Sequence, residues 1–307
     1  MAMNEYVLQT LDVSKQYQKK DVLSNVNMKV KKGDIYGFIG LNGAGKSTLI
    51  RMIAGLAFPT TGKIELFGQS NEKELISARK RMGTLIENPA LFPNMTAREN
   101  LEVIRIQRGI PGKSCIEESL KKVRLEETGK KKVKKFSLGM KQRLGIAVAL
   151  LNEPELLILD EPINGLDPMG VIEIRELLLQ INQEYGVTII ISSHILSELH
   201  QLATDFGIIH KGKLIDQITA KQLDEKCKAH LLIKVDDTSK AVIILENTLK
   251  TAIYEVMPDG SIKLYSHLED NHKITQVLVE GGIKVEQITP TSDTLESYFT
   301  RLIKGDA

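Results

Sequence analysis

Gly40-Leu41-Asn42-Gly43-Ala44-Gly45-Lys46-Ser47 fits the spacing G-x-x-x-x-G-K-[ST]. Glycines at these intervals let the backbone close around an anion. Their amides and the positive end of a following helix then face the same point. In such a loop the lysine reaches the β and γ oxygens of a nucleotide's phosphate tail, and the serine offers its hydroxyl to Mg²⁺. Gly40, Asn42, Gly43, Ala44, Gly45, Lys46, Ser47 and Thr48 are the candidate phosphate-binding positions. Downstream, the apolar run Leu156-Leu157-Ile158-Leu159 ends in Asp160-Glu161. Two carboxylates leaving a buried strand emerge where open α/β sheets bind ligands. Asp160 there can hold Mg²⁺ through water, and Glu161 can polarise an attacking water as general base.

The pattern around these residues supplies the elements that position them. Ile35 to Ile39 reads as a short buried strand running into the glycine loop, and Leu49, Ile53 and Leu56 share one face of a following helix. Val7 to Val13 and Val22 to Val30 read as antiparallel strands, and Ile64 to Gly68 as another after a turn at Thr60 to Lys63. Between Thr96 and Leu151 the chain reads as mainly helical. Thr96 with Glu99, and Ser114 with Glu117, have capping-box spacing. Strands return at Leu156 to Leu159, Val187 to Ile191 and Phe206 to Ile209, with a helix from Gly170 to Tyr185. This alternation predicts an α/β fold with a mostly parallel, doubly covered sheet.

Composition narrows the class. With 41 Lys plus Arg against 39 Asp plus Glu, the charge gives no broad reason to expect nucleic acid or an acidic membrane as the main partner. Cys115 and Cys227 form no zinc or disulfide pattern. The opening Met1 to Glu5 lacks the basic start and apolar stretch of a secretory signal, and no apolar run approaches the roughly 20 residues of a membrane span.

Phe136-Ser137-Leu138-Gly139-Met140-Lys141-Gln142-Arg143 resembles the signature of ABC ATPases, whose common form is LSGGQ. Leu138 stands where that form has a glycine, and Met140-Lys141 where it has glutamine. The resemblance implies a P-loop NTPase core with an antiparallel β subdomain and a helical subdomain. It further implies that Ser137 and Gly139 of one protomer cap the γ-phosphate of ATP held by another. Asn164-Gly165-Leu166-Asp167 resembles the D-loop of that family, which places Asp167 at the dimer seam. His194, after Ile189-Ile190-Ile191-Ser192-Ser193, matches its switch histidine. Tyr17 matches the aromatic that stacks on adenine, a contact worth about 1 to 3 kcal/mol. Where the family has its Q-loop glutamine, Leu85-Ile86-Glu87-Asn88-Pro89 offers Glu87, a stronger Mg²⁺ ligand than an amide.

Glu87, the stretch Leu91 to Leu101 and the terminal Thr294-Leu295-Glu296-Ser297-Tyr298-Phe299 are similar to the ATPases of bacterial exporters that confer bacitracin resistance or lantibiotic immunity. That resemblance implies an ATP-hydrolysing subunit, peripheral on the cytoplasmic face of a bacterial membrane. Its partners would be a separate integral-membrane permease and a second ATPase subunit, identical or paralogous. The alternatives are an ABC ATPase acting on ribosomes or DNA, and a transporter for another substrate. Proteins of the ribosome or DNA kind usually join two cassettes or carry a long coiled-coil insertion, and neither is legible here.

The expected organisation is an ATPase domain over 1–217, with its helical subdomain at about 90–151, and a second region over 218–307. The latter opens with a connector helix at Ala220 to Ala229. Strands at His230 to Val235, Ile253 to Tyr265 (a hairpin) and Ile283 to Ile288, with helices at Ser239 to Leu249 and Asp270 to Glu280, follow the βαββαβ order of a ferredoxin-like α+β domain. A last helix is expected around Leu295 to Ile303. The lysines from Lys130 to Lys135 read as a solvated loop, and Ile104, Leu120, Val123 and Leu125 as ordinary core.

Overall fold

A computed structural model describes residues 5–87, 89–250, 253–292 and 294–304. Met1 to Asn4 of the opening segment, and Asn88 of the Glu87 stretch, lie outside the described residues. The chain divides into two compact units, Met1–Ala220 and Lys221–Ala307.

In the first unit, β1 (Tyr6–Tyr17), β2 (Lys20–Val26), β3 (Lys29–Lys31) and β5 (Thr61–Leu66) form an antiparallel sheet around β1. β4 (Ile35–Ile39) is wholly buried and leads to α1 (Lys46–Ile53). Next come α2 (Glu72–Arg79), β6 (Met82–Leu85), and the helices α3 (Ala97–Gln107), α4 (Ser114–Lys122) and α5 (Leu138–Leu150). The unit ends with β7 (Leu156–Asp160), α6 (Pro168–Tyr185), β8 (Thr188–Ser193), α7 (Leu196–His200), β9 (Asp205–His210) and β10 (Lys213–Thr219). The main sheet has the order β10-β9-β4-β8-β7-β6, parallel except for β10. β7 and β8 are buried at every residue, which is why they read as apolar runs without alternation.

Several expectations need correction. Leu49 and Ile53 are buried as expected, but α1 stops at Ile53 and Leu56 is 69 % exposed in the loop beyond it. Gly55, with φ +79, ends the helix where a side chain would meet Arg79 at 2.8 Å. Thr61 to Lys63 are strand rather than turn, and Gly62 permits this by its φ of +85 against the Asp12 carbonyl. The Thr96–Glu99 capping box forms in both directions. Ser114 instead lies inside α4, without a capping bond, and Glu117 is held by Arg98 of α3 at 2.7 Å. Leu120, Val123 and Leu125 are core as expected, whereas Ile104 is only partly buried.

The second unit contains α8 (Ala220–Lys226, starting at the last residue of the first), β11 (Ala229–Val235), α9 (Thr238–Leu249), β12 (Tyr254–Val256), β13 (Ile262–Leu264), α10 (Asn271–Glu280), β14 (Val285–Ser292) and α11 (Leu295–Lys304). Its strands pair antiparallel in the order β12-β13-β11-β14, around a core of Leu231, Ile233, Leu245, Ile262, Leu264 and Leu278.

One carboxyl in the first unit links fold to pH. Asp34, just before β4, is pushed up to about 6 from 3.8, first by burial and then by the charge of Asp205 and a hydrogen bond with it. The folded protein therefore holds this proton more tightly than the unfolded chain. The carboxyl's contribution to stability is full below about 3.8 and is lost as pH rises through about 6. Asp34→Asn is expected to raise stability by about 1 kcal/mol at pH 8, after allowance for screening at this half-exposed position. Toward pH 4 the gain should vanish. Urea melts of both proteins across pH 4 to 8 check this; a gap that does not change with pH would remove the Asp34–Asp205 explanation.

Candidate functional site

Strand register assembles the site. Ile39 of β4 pairs with Ser193 of β8, and Asp160 of β7 pairs with Ser192 of β8. Gly40, Glu161 and His194, each one residue beyond a paired position, therefore leave the sheet side by side at its carboxyl edge. The loop after β4 can turn there because of its glycines. A Cβ on Gly40 would lie 2.5 Å from the Ile209 carbonyl, while Gly45 has φ +112 and sits against Leu23. Gly43, at φ +78, has nothing within 4 Å of a Cβ position, so its backbone faces open space.

Lys46, the first residue of α1, is only 5 % exposed. Its ammonium donates to the Gly40 carbonyl at 2.6 Å and pairs with Glu161 Oε1 at 3.1 Å. Glu161 Oε2 is 2.8 Å from His194 Nδ1. The geometry therefore links Lys46, Glu161 and His194 in one chain. Glu161 takes φ +52, a left-handed conformation that a glutamate adopts at a cost. Ser192 holds it there: its Oγ accepts from the Glu161 amide at 2.9 Å and donates to Asp160 Oδ1 at 2.6 Å. Ser192 was not singled out from sequence, although a hydroxyl two residues before a strand-end histidine is a signal that could have found it. Asp160 is 4 % exposed beneath this network.

A cleft of about 350 Å³ opens on the loop, lined by Asn42, Gly43, Gly45, Lys46, Ser47, Thr48 and Glu161, with Asn164 joining from the loop after β7. The other candidates sit elsewhere. Tyr17 closes a two-residue hairpin to Lys20, is 48 % exposed, and has the Lys15 ammonium 4.8 Å above its ring. Ser137 is the N-cap of α5, its Oγ accepting from the Met140 amide at 3.2 Å. Gly139 lies beside Leu166, so the Ser137 turn and the loop at Asn164 to Asp167 approach each other within one protomer. Asp167 caps α6 through the Gly170 amide at 3.1 Å, with Pro168 at the first helical position. Glu87 is 63 % exposed at φ +61 and makes an ion pair with Arg51 of α1, outside the cleft.

Glu198, on α7 behind the histidine, lies within reach of Ser193 Oγ at 3.4 Å. Burial raises its carboxyl above the usual range, with Ser193 and His194 opposing. Among the described residues, no helix is long and apolar enough to cross a membrane.

Comparison with known proteins places this arrangement. The family model described as ABC transporter matches residues 23–164. Over 302 residues the chain is 48 % identical to the bacitracin transport ATP-binding protein BcrA of Bacillus licheniformis, covering 97 % of this chain and 98 % of that protein. The chain belongs to the ABC transporter ATP-binding family. The lantibiotic transport ATP-binding protein SrtF of Streptococcus pyogenes is 46 % identical over 209 residues, 68 % of this chain and 89 % of SrtF. Among solved structures, cbiO1 of Clostridium perfringens superposes with a TM-score of 0.67 at 27 % identity, covering 80 % of this chain and 97 % of its own. The ATP-binding cassette MJ0796, solved as a dimer in a post-hydrolysis state with ADP and Pi, gives 0.62 at 27 % identity, covering 69 % of this chain and 98 % of its own. As an ABC cassette the chain is an ATPase.

Proposed function

We propose that this ABC cassette drives export of a peptide antibiotic of the bacitracin or lantibiotic type through a separate membrane permease. The observation that carries the enzymatic part is the chain Lys46–Glu161–His194 at the mouth of the glycine loop, with bonds of 3.1 and 2.8 Å. The substrate class rests on relatives named for bacitracin and lantibiotic transport.

In this reading the loop amides and Lys46 take the phosphate tail, which draws the ammonium away from Glu161. The freed carboxylate accepts a proton from the attacking water. His194 donates from Nδ1 to Glu161, which fixes its tautomer and leaves Nε2 to contact the γ-phosphate. Ser192 keeps Glu161 from rotating out of line by holding its amide. The oxygen donors Ser47 and Asp160 suit Mg²⁺, which binds through few protein oxygens and several waters. Asp160 engages one carboxyl oxygen with Ser192 and has the other to offer. When bound, the metal neutralises charge on the β and γ oxygens. Glu87 would have to leave Arg51 to reach it.

Ser137 and Gly139 act on a second copy's nucleotide in this proposal, since neither lines the cleft of its own protomer. Asp167 would then shape the seam by capping α6, and Tyr17 would stack on adenine once Lys15 releases its ring. The test is resistance. A sensitive bacterium expressing this chain with its cognate permease should tolerate a several-fold higher bacitracin or lantibiotic concentration, and Glu161→Gln should abolish the gain. Unchanged tolerance to both antibiotic classes, with the permease present in the membrane, would overturn the substrate assignment.

A further inference from the structure

The balanced overall charge hides a local imbalance at the opposite end of the parallel sheet from the glycine loop. A cleft of about 470 Å³ opens where β6 begins, lined by Arg79, Lys80, Met82, Arg108, Ile110 and Asn152 among others, and no lining residue is acidic. The neighbouring arginines are neutralised: Arg81 pairs with Glu155 at 2.6 Å and Arg105 with Glu102 at 2.7 Å. Arg79, Lys80 and Arg108 have no carboxylate partner among the described residues.

The two guanidiniums are instead seated on helix ends. Arg79 donates to the carbonyls of Ile53 at 3.0 Å and Met52 at 3.5 Å, at the end of α1. Arg108 donates to the Val148 carbonyl at 2.9 Å, in the last turn of α5. Asn152 fixes the floor by donating to the Lys80 carbonyl at 2.8 Å. Each guanidinium keeps further N–H donors of its planar fork for a ligand. Burial lowers the proton affinity of both arginines, and no acidic group offsets it. The helix-end carbonyls offset part of this charge, and the N–H donors left facing the cleft attract an anion.

We propose that this cleft is a second anion site, which binds a phosphate group through Arg79, Lys80 and Arg108. Three positive groups with no acidic partner suit a phosphate group, which is dianionic when free and monoanionic in a phospholipid diester, and the arginine forks match its oxygens. The phosphate can be free in solution or carried by a phospholipid headgroup, and the two sources are separable.

In one arm, inorganic phosphate is titrated calorimetrically into the full chain with its glycine loop filled by a non-hydrolysable ATP analogue. In the other, the full chain is floated with vesicles of phosphatidylglycerol or of phosphatidylcholine. Replacing Lys80→Gln and Arg108→Gln together should weaken binding about tenfold or more in whichever arm the wild type binds. Phosphate uptake without vesicle recovery identifies free phosphate; recovery on phosphatidylglycerol over phosphatidylcholine identifies the headgroup. Because Arg108 also holds Val148, the single variant Lys80→Glu at an exposed position provides an independent reading, with its melting temperature as the check on folding. Absence of binding in both arms, or equal binding by wild type and by folded variants, overturns the site.

Discussion

Glu161→Gln is expected to cut steady-state ATP hydrolysis by about 10²- to 10⁴-fold, the range associated with loss of a general base, while ATP binding is kept or strengthened. The second half of this expectation comes from the Lys46–Glu161 pair at 3.1 Å. In the wild type the phosphate tail competes with Glu161 for the ammonium. A neutral amide competes less, so the ATP-bound form gains relative to the free one. Its protomers should accumulate as a dimer, because the contacts proposed between Ser137 and a facing nucleotide would persist until the γ-phosphate leaves. Phosphate release and light scattering in Mg-ATP measure both effects. Hydrolysis at the wild-type rate in a folded Glu161→Gln protein would remove Glu161 from catalysis. Slow turnover without dimerisation would instead count against the trans role of Ser137.

Lys46→Ala is expected to weaken ATP binding by about a hundredfold or more, as loss of charge-assisted bonds to two phosphates implies. The same change disturbs the resting site. Gly40 loses the donor to its carbonyl, and Glu161 keeps only His194 and its backbone anchor on Ser192. A modest fall in melting temperature should accompany the loss of affinity. Equilibrium titration with a fluorescent ATP analogue reads the first, and calorimetry of the nucleotide-free protein the second. The double variant Lys46→Ala/Glu161→Gln separates the two causes. It should recover part of the stability, because the carboxylate charge left without Lys46 is gone while Gly40 still lacks its donor, but not affinity. Recovered affinity would mean that Lys46 acts on the site mainly by restraining Glu161.

Much of this site was legible because its chemistry is local in the chain. The glycine loop and the strand-end carboxylates are contiguous runs whose residue types have few other uses, and the buried parallel strands announce themselves as apolar stretches. Elements without such a pattern were not read: α2, the short edge strand β6 and the antiparallel strand β10. Both strands alternate in burial, but β6 is only Met82-Gly83-Thr84-Leu85 and β10 reads Lys213-Leu214-Ile215-Asp216-Gln217-Ile218-Thr219, so neither alternates apolar with polar residue types along the chain. Helix ends were misjudged where a tertiary contact decided them. Arg98 holds Glu117 away from the expected cap at Ser114, and α1 stops at Ile53, two residues before Gly55, so that Leu56 stays exposed.

Residue type and spacing along the chain fix which groups are present to act on a triphosphate, those of Gly40 to Ser47 and Asp160-Glu161. Which of them pair is set by the register of strands distant in sequence. The registers Ile39 with Ser193 and Asp160 with Ser192 bring Gly40, Glu161 and His194 to one edge, where Glu161 pairs with the Lys46 ammonium at 3.1 Å and hydrogen-bonds His194 at 2.8 Å. The same holds for Arg51 beside Glu87, and for Arg79 and Arg108 left without acids while Arg81 and Arg105 have them. Pairing of charges depends on distance through space, which falls off over a few ångströms and which separation along the chain does not encode.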